Sequence, residues 1–229
     1  MLLPLHDRNP LKIIPYQAVT LGLIALNAAI FLWQLTLSET ALLETLLGFG
    51  LVPAALFGAA DGSQFDGGPP AWLTLVSYMF FHGGLLHLLG NMLYLWIFGD
   101  NIEDSMGHGR FVVFFLLCGI AAGLVHGAID PAANYPTIGA SGAVSGVLGA
   151  YLVLHPRVKI LVLALGFFAL RLPAYLVLLV WLVIQLFNVV AGTPGVAWWA
   201  HIGGFLAGAL LVIPLRHKHI PLFDRGVEH

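Results

Sequence analysis

A serine and a histidine draw attention because both lie in segments as apolar as membrane spans. Ser141 lies in the run Gly139-Ala-Ser-Gly142, and His201 opens a second apolar stretch further along the chain. Polar side chains inside a membrane are energetically costly and usually serve function. A Gly-x-Ser-Gly serine with a distant histidine is typical of nucleophilic acyl transfer. The pair predicts a serine hydrolase whose reaction centre lies within the bilayer.

The chemistry expected of this pair needs a proton acceptor and a site for negative charge. A neutral His201 can take the Ser141 proton and return it to the leaving amine. If a helix begins at Ser141, its dipole and its free backbone N–H groups favour a developing oxyanion. The apolar runs near 139–154, 173–191 and 198–215 contain no acidic residue. We therefore predict a Ser141–His201 dyad rather than a triad.

Three more polar side chains, His82, His87 and Asn91, fall in an earlier apolar run. His87 and Asn91 are four positions apart, so they share one face of a helix. Their imidazole and carboxamide groups could donate hydrogen bonds to an oxyanion, or they could only hydrogen-bond neighbouring helices. Metal binding by His82, His87 and His201 is a third interpretation, which the lack of a completing cysteine or carboxylate ligand disfavours.

The composition of the chain is that of a polytopic membrane protein. Of its 229 residues, 59% are hydrophobic and 9% are charged, whereas soluble domains carry about 25% charged residues. The length suits one compact bundle, so residues 1–229 are predicted to form a single membrane domain. Its six-helix core would cover residues 15–215, between short tails at 1–14 and 216–229. A net charge of −2 argues against nucleic acid as a partner.

Six apolar runs are long enough for membrane helices, near residues 17–38, 77–99, 110–129, 139–154, 173–191 and 198–215. Every Lys and Arg lies before the first run, or in the segments that follow the second, the fourth and the sixth. Because positive residues collect on the cytoplasmic side, both termini are predicted to be cytoplasmic. The predicted fold class is therefore all-α, a polytopic membrane protein with a bundle of six transmembrane helices.

Two segments between the runs need a separate interpretation. The first outer loop, near 39–76, is long, and its apolar part at 42–57 predicts an amphipathic helix that rests in the outer leaflet. Residues 61–70 of the same loop are rich in glycine and predict irregular structure. The short run at 158–170 is bracketed by arginines, which suits an interfacial segment better than a span.

Small residues indicate how the serine and the histidine could approach each other. Gly142 and Gly146 lie four apart on the fourth run, and Gly204 and Gly208 lie four apart on the sixth. Such spacing lets two membrane helices pack closely. Both runs are predicted to cross from outside to inside, which would bring the two polar side chains to one side of the membrane. Taken alone, the glycines are also consistent with helix packing that serves no chemistry.

Together, these motifs resemble the rhomboid family of intramembrane serine proteases. The resemblance covers residues 15–215, and the ordered set of motifs is more specific than any single one. The matching features, in chain order, are His82, His87-Leu-Leu-Gly-Asn91, Glu103-xxx-Gly107-x-Gly109, Gly139-Ala-Ser141-Gly142 and Ala200-His201-Ile-Gly-Gly204.

By this resemblance, Ser141 is the nucleophile and His201 is the general base. It implies an oxyanion hole formed by the side chains of His87 and Asn91 and by the backbone N–H of Ser141. It implies neither a cofactor nor a metal ion. Residues with supporting or packing roles would be His82, Gly139, Gly142, Gly146, Gly204 and Gly208, while Glu103 and Gly107 would be structural parts of the loop after the second span.

The resemblance also implies what the protein acts on. Members of the family cut other membrane proteins within or beside a transmembrane helix, and their substrates enter sideways from the lipid near the fifth span. The expected partners are therefore transmembrane protein substrates and the lipid bilayer. The short polar tails favour a bacterial inner membrane, with the active site opening to the outer side.

Two other functions stay open at this stage. A non-catalytic binder or chaperone could recognise transmembrane helices through the same lateral opening. A small-solute transporter could use the histidines of the second run, but the predicted spans carry no acidic residue that would support ion coupling.

Two positions depart from the family pattern. Trp72 is followed by Leu73 where many members carry an arginine. Ser145 occupies the position at which some members stack an aromatic side chain on the histidine. Neither change removes a catalytic group, but His201 must then be oriented in some other way.

Overall fold

The structure is a mostly helical bundle with one small sheet. It is a computed structural model that describes residues 2–58, 68–164 and 166–224. The helices are α1 (Ala18–Gln34), α2 (Glu39–Phe49), α3 (Pro53–Leu56), α4 (Thr74–Ser77), α5 (Leu85–Met106), α6 (His108–Ile129), α7 (Ser141–Leu154), α8 (Ala174–Val190) and α9 (Trp198–Leu215). The strands are β1 (Leu2–Asp7), β2 (Lys159–Ala164) and β3 (Phe168–Pro173). Short 3₁₀ turns at Ala71–Leu73 and Tyr78–Phe80 flank α4.

Each of the six predicted spans corresponds to one long helix, namely α1 and α5 to α9. By length and composition, α6 and α9 are able to cross a membrane, and α5 joins the bent segment Ala71–Phe80 as a third candidate. The apolar helices α1, α7 and α8 are shorter, with 17, 14 and 17 residues. The helical apolar bundle is therefore found, while the count of six crossings stays a prediction.

The second predicted span begins later than expected. We placed its start near residue 77, but the chain turns by 85° between Ala71–Phe80 and α5. Gly84, the residue before α5, has extended backbone angles of φ 163° and ψ 167°. Consecutive glycines at positions 83 and 84 disfavour a continuous helix, because glycine loses the most backbone entropy when it becomes helical. The helix then continues to Met106, so Glu103 lies in its last turn rather than in a loop.

The sheet is the part of the fold that the all-α prediction misses. Strands β2 and β3 form an antiparallel hairpin in the segment predicted to be interfacial, and β1 from the predicted N-terminal tail pairs with β2. Ile160 and Val162 are buried on one face of the hairpin. On the same side, buried Asp7 accepts a 2.6 Å hydrogen bond from the Tyr151 hydroxyl of α7. The sheet therefore packs against the end of α7 opposite to Ser141.

The first loop contains the helices α2 and α3. An isolated pair of backbone hydrogen bonds joins Leu51 to Thr137, so this loop contacts the segment that leads into α7. Residues 59–67, which hold most of the stretch predicted to be irregular, lie outside the described residues.

Two buried carboxylates at the end of α5 attach the start of the chain. Glu103 is fully buried and accepts hydrogen bonds from the backbone N–H groups of Val19 and Thr20 at 2.9 and 2.8 Å, and from the Thr20 hydroxyl at 2.7 Å. These N–H groups belong to the first turn of α1, where no intrahelical acceptor exists. Asp104 accepts from three successive N–H groups, those of Lys12, Ile13 and Ile14. Glu103 thus caps α1 from a neighbouring helix, and Asp104 holds the segment before α1.

Helix α7 lies at the centre of the bundle and touches α9 backbone to backbone. A Cβ atom on Gly204 would lie 2.0 Å from the Gly142 carbonyl oxygen, and one on Gly208 would lie 1.9 Å from the Gly146 carbonyl oxygen. No side chain fits in either place. The order of these contacts also shows that α7 and α9 run in the same direction.

Replacing Gly208 by alanine should destabilise the bundle, because the new methyl group would overlap a backbone oxygen that cannot rotate away. Overpacking of this kind typically costs about 1–3 kcal/mol. We expect a lower unfolding temperature in detergent for Gly208→Ala. The control is Gly22→Ala in α1, where no described atom outside the adjoining helix backbone lies within 4 Å of the added group. Equal unfolding temperatures for the two variants would contradict the close α7–α9 contact.

The free energy of unfolding should depend on pH through the buried carboxyl group of Asp7. Burial raises the pKa of Asp7 from 3.8 to about 6, so the folded protein binds this proton more tightly than the unfolded chain. The contribution of Asp7 to the free energy of unfolding is therefore largest at low pH and is lost as the pH rises through about 6.

Asp7→Asn keeps an acceptor for Tyr151 but removes the titration. We expect the variant to be more stable than the wild type at pH 7, with the difference shrinking towards pH 4. Unfolding temperatures in detergent across this range measure the effect, with exposed Glu44→Gln as the control. A difference that does not change with pH would show that Asp7 is not the titrating group.

Candidate active site

Ser141 and His201 lie in contact at the shared end of α7 and α9. Ser141 is the first residue of α7, and His201 lies in the first turn of α9. His201 Nε2 is 2.9 Å from Ser141 Oγ. The two helices are parallel and in backbone contact, so residues at their starts are at the same level. The arrangement allows the hydroxyl to donate its proton directly to the imidazole.

His87 and Asn91 reach the same place from α5. A Cβ atom on Gly139 would lie 2.7 Å from the His87 ring and 3.8 Å from Asn91 Nδ2. Gly139 also has a φ of +123°, a region that favours glycine. Glycine at this position therefore lets the chain pass directly against both polar side chains, two residues before Ser141.

Both α5 side chains have donors that can serve an oxyanion. Among the described residues, none accepts a hydrogen bond from the buried Asn91 Nδ2. The Gly83 N–H donates a long 3.4 Å hydrogen bond to His87 Nδ1, which in a neutral ring leaves the proton on Nε2. The first backbone N–H groups of α7, starting at Ser141, have no intrahelical acceptor. The two α5 side chains thus lie against Gly139, two residues before Ser141.

His82 lies next to His87. Its side chain is buried, and its ring lies 5.0 Å from the His87 ring in an edge-on arrangement. Gln34 of α1 holds its backbone through two 3.1 Å hydrogen bonds, one to the N–H and one to the carbonyl. Among the residues that the structure describes, no group of three His, Cys, Asp or Glu side chains is arranged to hold a metal ion.

Ser145 lies one turn after Ser141 and hydrogen-bonds within its own helix. Its hydroxyl donates a 2.6 Å hydrogen bond to the Ser141 carbonyl oxygen, as serines inside helices often do with their own backbone. This hydrogen bond does not involve the His201 imidazole. The histidine is therefore held by other groups.

Those groups come from residues that sequence reasoning did not select. His201 Nδ1 lies 2.8 Å from Gln185 Oε1 of α8. The Trp181 ring lies 6.0 Å from the His201 ring in a tilted arrangement, and the Trp198 ring lies 5.8 Å away and edge-on. The available signal for Gln185 was an amide in a largely apolar helix, a signal that Asn188 of the same helix shares.

The fold and the site together define an integral membrane protein, built as a helical bundle with a serine–histidine pair at the start of two parallel helices. Comparison with known sequences gives the family. Residues 69–218 match the family model described as the Rhomboid domain. The chain belongs to the rhomboid family.

Individual relatives match only in part. The chain is similar to RHOMBOID-like protein 5 of Arabidopsis thaliana, with 34% identity over 76% of this chain and 54% of the relative. It is similar to Rhomboid protease GluP of Bacillus subtilis, with 38% identity over 42% of this chain and 18% of the relative. A match to Rhomboid protein 1, mitochondrial, of Saccharomyces cerevisiae has 34% identity over 39% of this chain and 27% of the relative.

The chain therefore spans about half of the plant relative's length, since the alignment covers 54% of it, and much less of the other two. These relatives are a plant protein, a bacterial protein and a yeast protein named as mitochondrial. A bacterial inner membrane accordingly stays a prediction for this chain.

Proposed function

We propose that this protein is an intramembrane serine protease that hydrolyses peptide bonds in or next to transmembrane segments of other membrane proteins. The observation that carries the proposal is the 2.9 Å separation of Ser141 Oγ and His201 Nε2 in a chain of the rhomboid family. The similarity to a relative named as a rhomboid protease supports it.

In the proposed reaction, Ser141 Oγ attacks the carbonyl carbon of the scissile bond while His201 Nε2 takes its proton. The tetrahedral oxyanion is stabilised by the Ser141 N–H and by the side chains of His87 and Asn91. His201 then gives the proton to the leaving amine, which produces an acyl-enzyme. Water, activated by the same imidazole, attacks this ester and releases Ser141.

The dimensions of α7 support a reaction centre below the membrane surface. Its 14 residues span about 21 Å, which is less than the hydrocarbon core of about 30 Å. A helix this short cannot reach both surfaces, and Ser141 is its first residue. Because hydrolysis consumes water and unpaired polar groups cannot face lipid, we propose a water-filled cavity that opens to the outer side, with both termini cytoplasmic.

Lateral entry of transmembrane substrates beside α8 is part of the proposal. Along α8, all of which the structure describes, the buried residues are Ala174, Val177, Leu178 and Gln185. By contrast, α7 is buried at every position from Gly142 to Tyr151. Helix α8 is thus attached over a small part of its surface, and its displacement exposes His201 to the lipid side.

Ser141→Ala and His201→Ala should each abolish activity. If the dyad acts as a unit, each loss should be several orders of magnitude. The measurement is labelling of the purified protein by a fluorophosphonate probe, together with cleavage of a model transmembrane substrate in detergent. Ser145→Ala is the matched control, because it removes a serine one turn away whose hydroxyl donates to the backbone of its own helix.

Labelling of Ser141→Ala at the wild-type level would place the nucleophile elsewhere. If the wild type neither reacts with the probe nor cleaves, but still binds the transmembrane substrate, the protein is a binder rather than a protease.

Asn91→Ala should lower kcat with little change in KM. Removing one donor of an oxyanion site typically costs about 10²–10³ in kcat, because the donor acts mainly on charge that forms in the transition state. Asn188→Ala is the control, since this half-buried amide of α8 bonds only the carbonyl of Ile184 in its own helix. Equal kcat values for the two variants would remove Asn91 from the oxyanion site.

A further inference from the structure

Gln185 is the one buried amide in α8, a helix that is otherwise almost entirely apolar. Its side chain is 4% exposed. A primary amide carries two donors and an acceptor, and leaving such a group unpaired in a buried site costs about 1–3 kcal/mol. Gln185 avoids this cost through two contacts, one within α8 and one to α9.

The contact within α8 determines which way the amide points. The amide nitrogen Nε2 of Gln185 lies 3.0 Å from the Trp181 carbonyl oxygen. A carbonyl oxygen can only accept, so the NH₂ group must face Trp181. The Gln185 Oε1 atom therefore faces His201.

The contact to α9 then determines where the proton of the imidazole lies. Gln185 Oε1 is 2.8 Å from His201 Nδ1, and because Oε1 can only accept, Nδ1 must carry a hydrogen. In a neutral ring, Nε2 is then unprotonated, with its lone pair facing Ser141 Oγ at 2.9 Å. The chain of bonds runs in one direction, from the serine hydroxyl through imidazole and amide to the Trp181 carbonyl.

We propose that Gln185 is the positioning residue for His201: it holds the tautomer and the ring orientation that a general base needs. The inference rests on the proposed protease function. Gln185 takes the orienting task that an aspartate has in a Ser-His-Asp triad, and it also does what an aromatic side chain at position 145 would otherwise do. As a neutral amide it orients the ring without adding a negative charge.

The same bond makes the orientation of His201 depend on the placement of α8. Gln185 is the only buried residue of α8 after Leu178, within a helix that the structure describes completely. Beside it, the half-buried Trp181 stacks on Phe205 of α9 at 5.9 Å. If the outer half of α8 moves away to admit a substrate, the bond to Nδ1 breaks and the imidazole loses its fixed tautomer. Full activity therefore requires α8 to pack again on α9.

The first test compares Gln185→Leu with Asn188→Leu, a change from amide to apolar side chain one turn further along α8. We expect Gln185→Leu to lower kcat about 10- to 100-fold, a part of the ~10²–10⁴ that a positioned general base contributes. KM should stay within about twofold, because the substrate does not contact Gln185 in this proposal. Asn188→Leu should leave both constants unchanged. Equal kcat for Gln185→Leu and the wild type would overturn the proposal.

A second variant separates orientation from folding. Gln185→Glu can still accept from Nδ1, so it should retain more activity than Gln185→Leu. It adds a negative charge that favours the imidazolium, so the acid limb of the pH profile of kcat/KM should move to higher pH. A Glu variant as inactive as the Leu variant at every pH, at an unfolding temperature equal to that of the wild type, would contradict the role of Gln185 as an acceptor.

The third measurement does not depend on activity. In protein labelled with ¹⁵N-histidine, the His201 signal, assigned by its loss in His201→Ala, should show a protonated Nδ1 and an unprotonated Nε2. In Gln185→Leu the signal should shift towards a mixture of tautomers. If the wild type neither labels with fluorophosphonate nor cleaves, the proposed function fails, whatever the tautomer. If it is active and the His201 signal is the same in wild type and Gln185→Leu, only the Gln185 proposal fails.

Discussion

The backbone contact between α7 and α9 is the constraint on which the rest of the molecule depends. Gly204 lies on the carbonyl of Gly142, and Gly208 lies on the carbonyl of Gly146, with no room for a Cβ atom at either. This close approach of two parallel helices lets the side chains of Ser141 and His201, near their starts, meet. A methyl group at either crossing would separate the helices and lengthen the 2.9 Å contact between Ser141 and His201.

The other helices pack against this pair to different extents. Helix α5 is held close through Gly139, which allows His87 and Asn91 to lie against the start of α7, and its far end caps α1 through Glu103. Helix α8 is attached mainly at its first half and at Gln185. The bundle therefore combines a tightly packed support for the serine with a loosely packed helix beside the histidine.

Polar groups in an apolar bundle stabilise it only when they are paired, and this protein pairs several groups of the site. Ser145 bonds the backbone of its own helix, Gln34 holds the backbone of His82, and Gln185 holds His201. Two side chains are exceptions, since the buried Nδ2 of Asn91 and both ring nitrogens of His82 have no hydrogen-bond partner among the described residues. The unpaired Asn91 donor suits the proposed oxyanion site, because such a donor need not reorient during the reaction.

The sequence alone determined what depends on local pattern. Apolar runs predicted the helices, glycines at spacings of four predicted the close α7–α9 approach, and the motifs around Ser141 and His201 indicated the family. Tertiary structure decided what depends on residues that are far apart in the chain. Strand β1 has to meet β2, more than a hundred residues later, so β1 showed no signal of its own. The apolar run that forms β2 and most of β3 was interpreted as an interfacial segment, and the sheet was missed. The 85° turn before α5 was missed for a local reason, because hydropathy does not register that Gly83 and Gly84 disfavour a continuous helix. Gln185 does show the limit of sequence reasoning within the site: α8 carries two amides, Gln185 and Asn188, and only the tertiary structure shows which one lies 2.8 Å from His201.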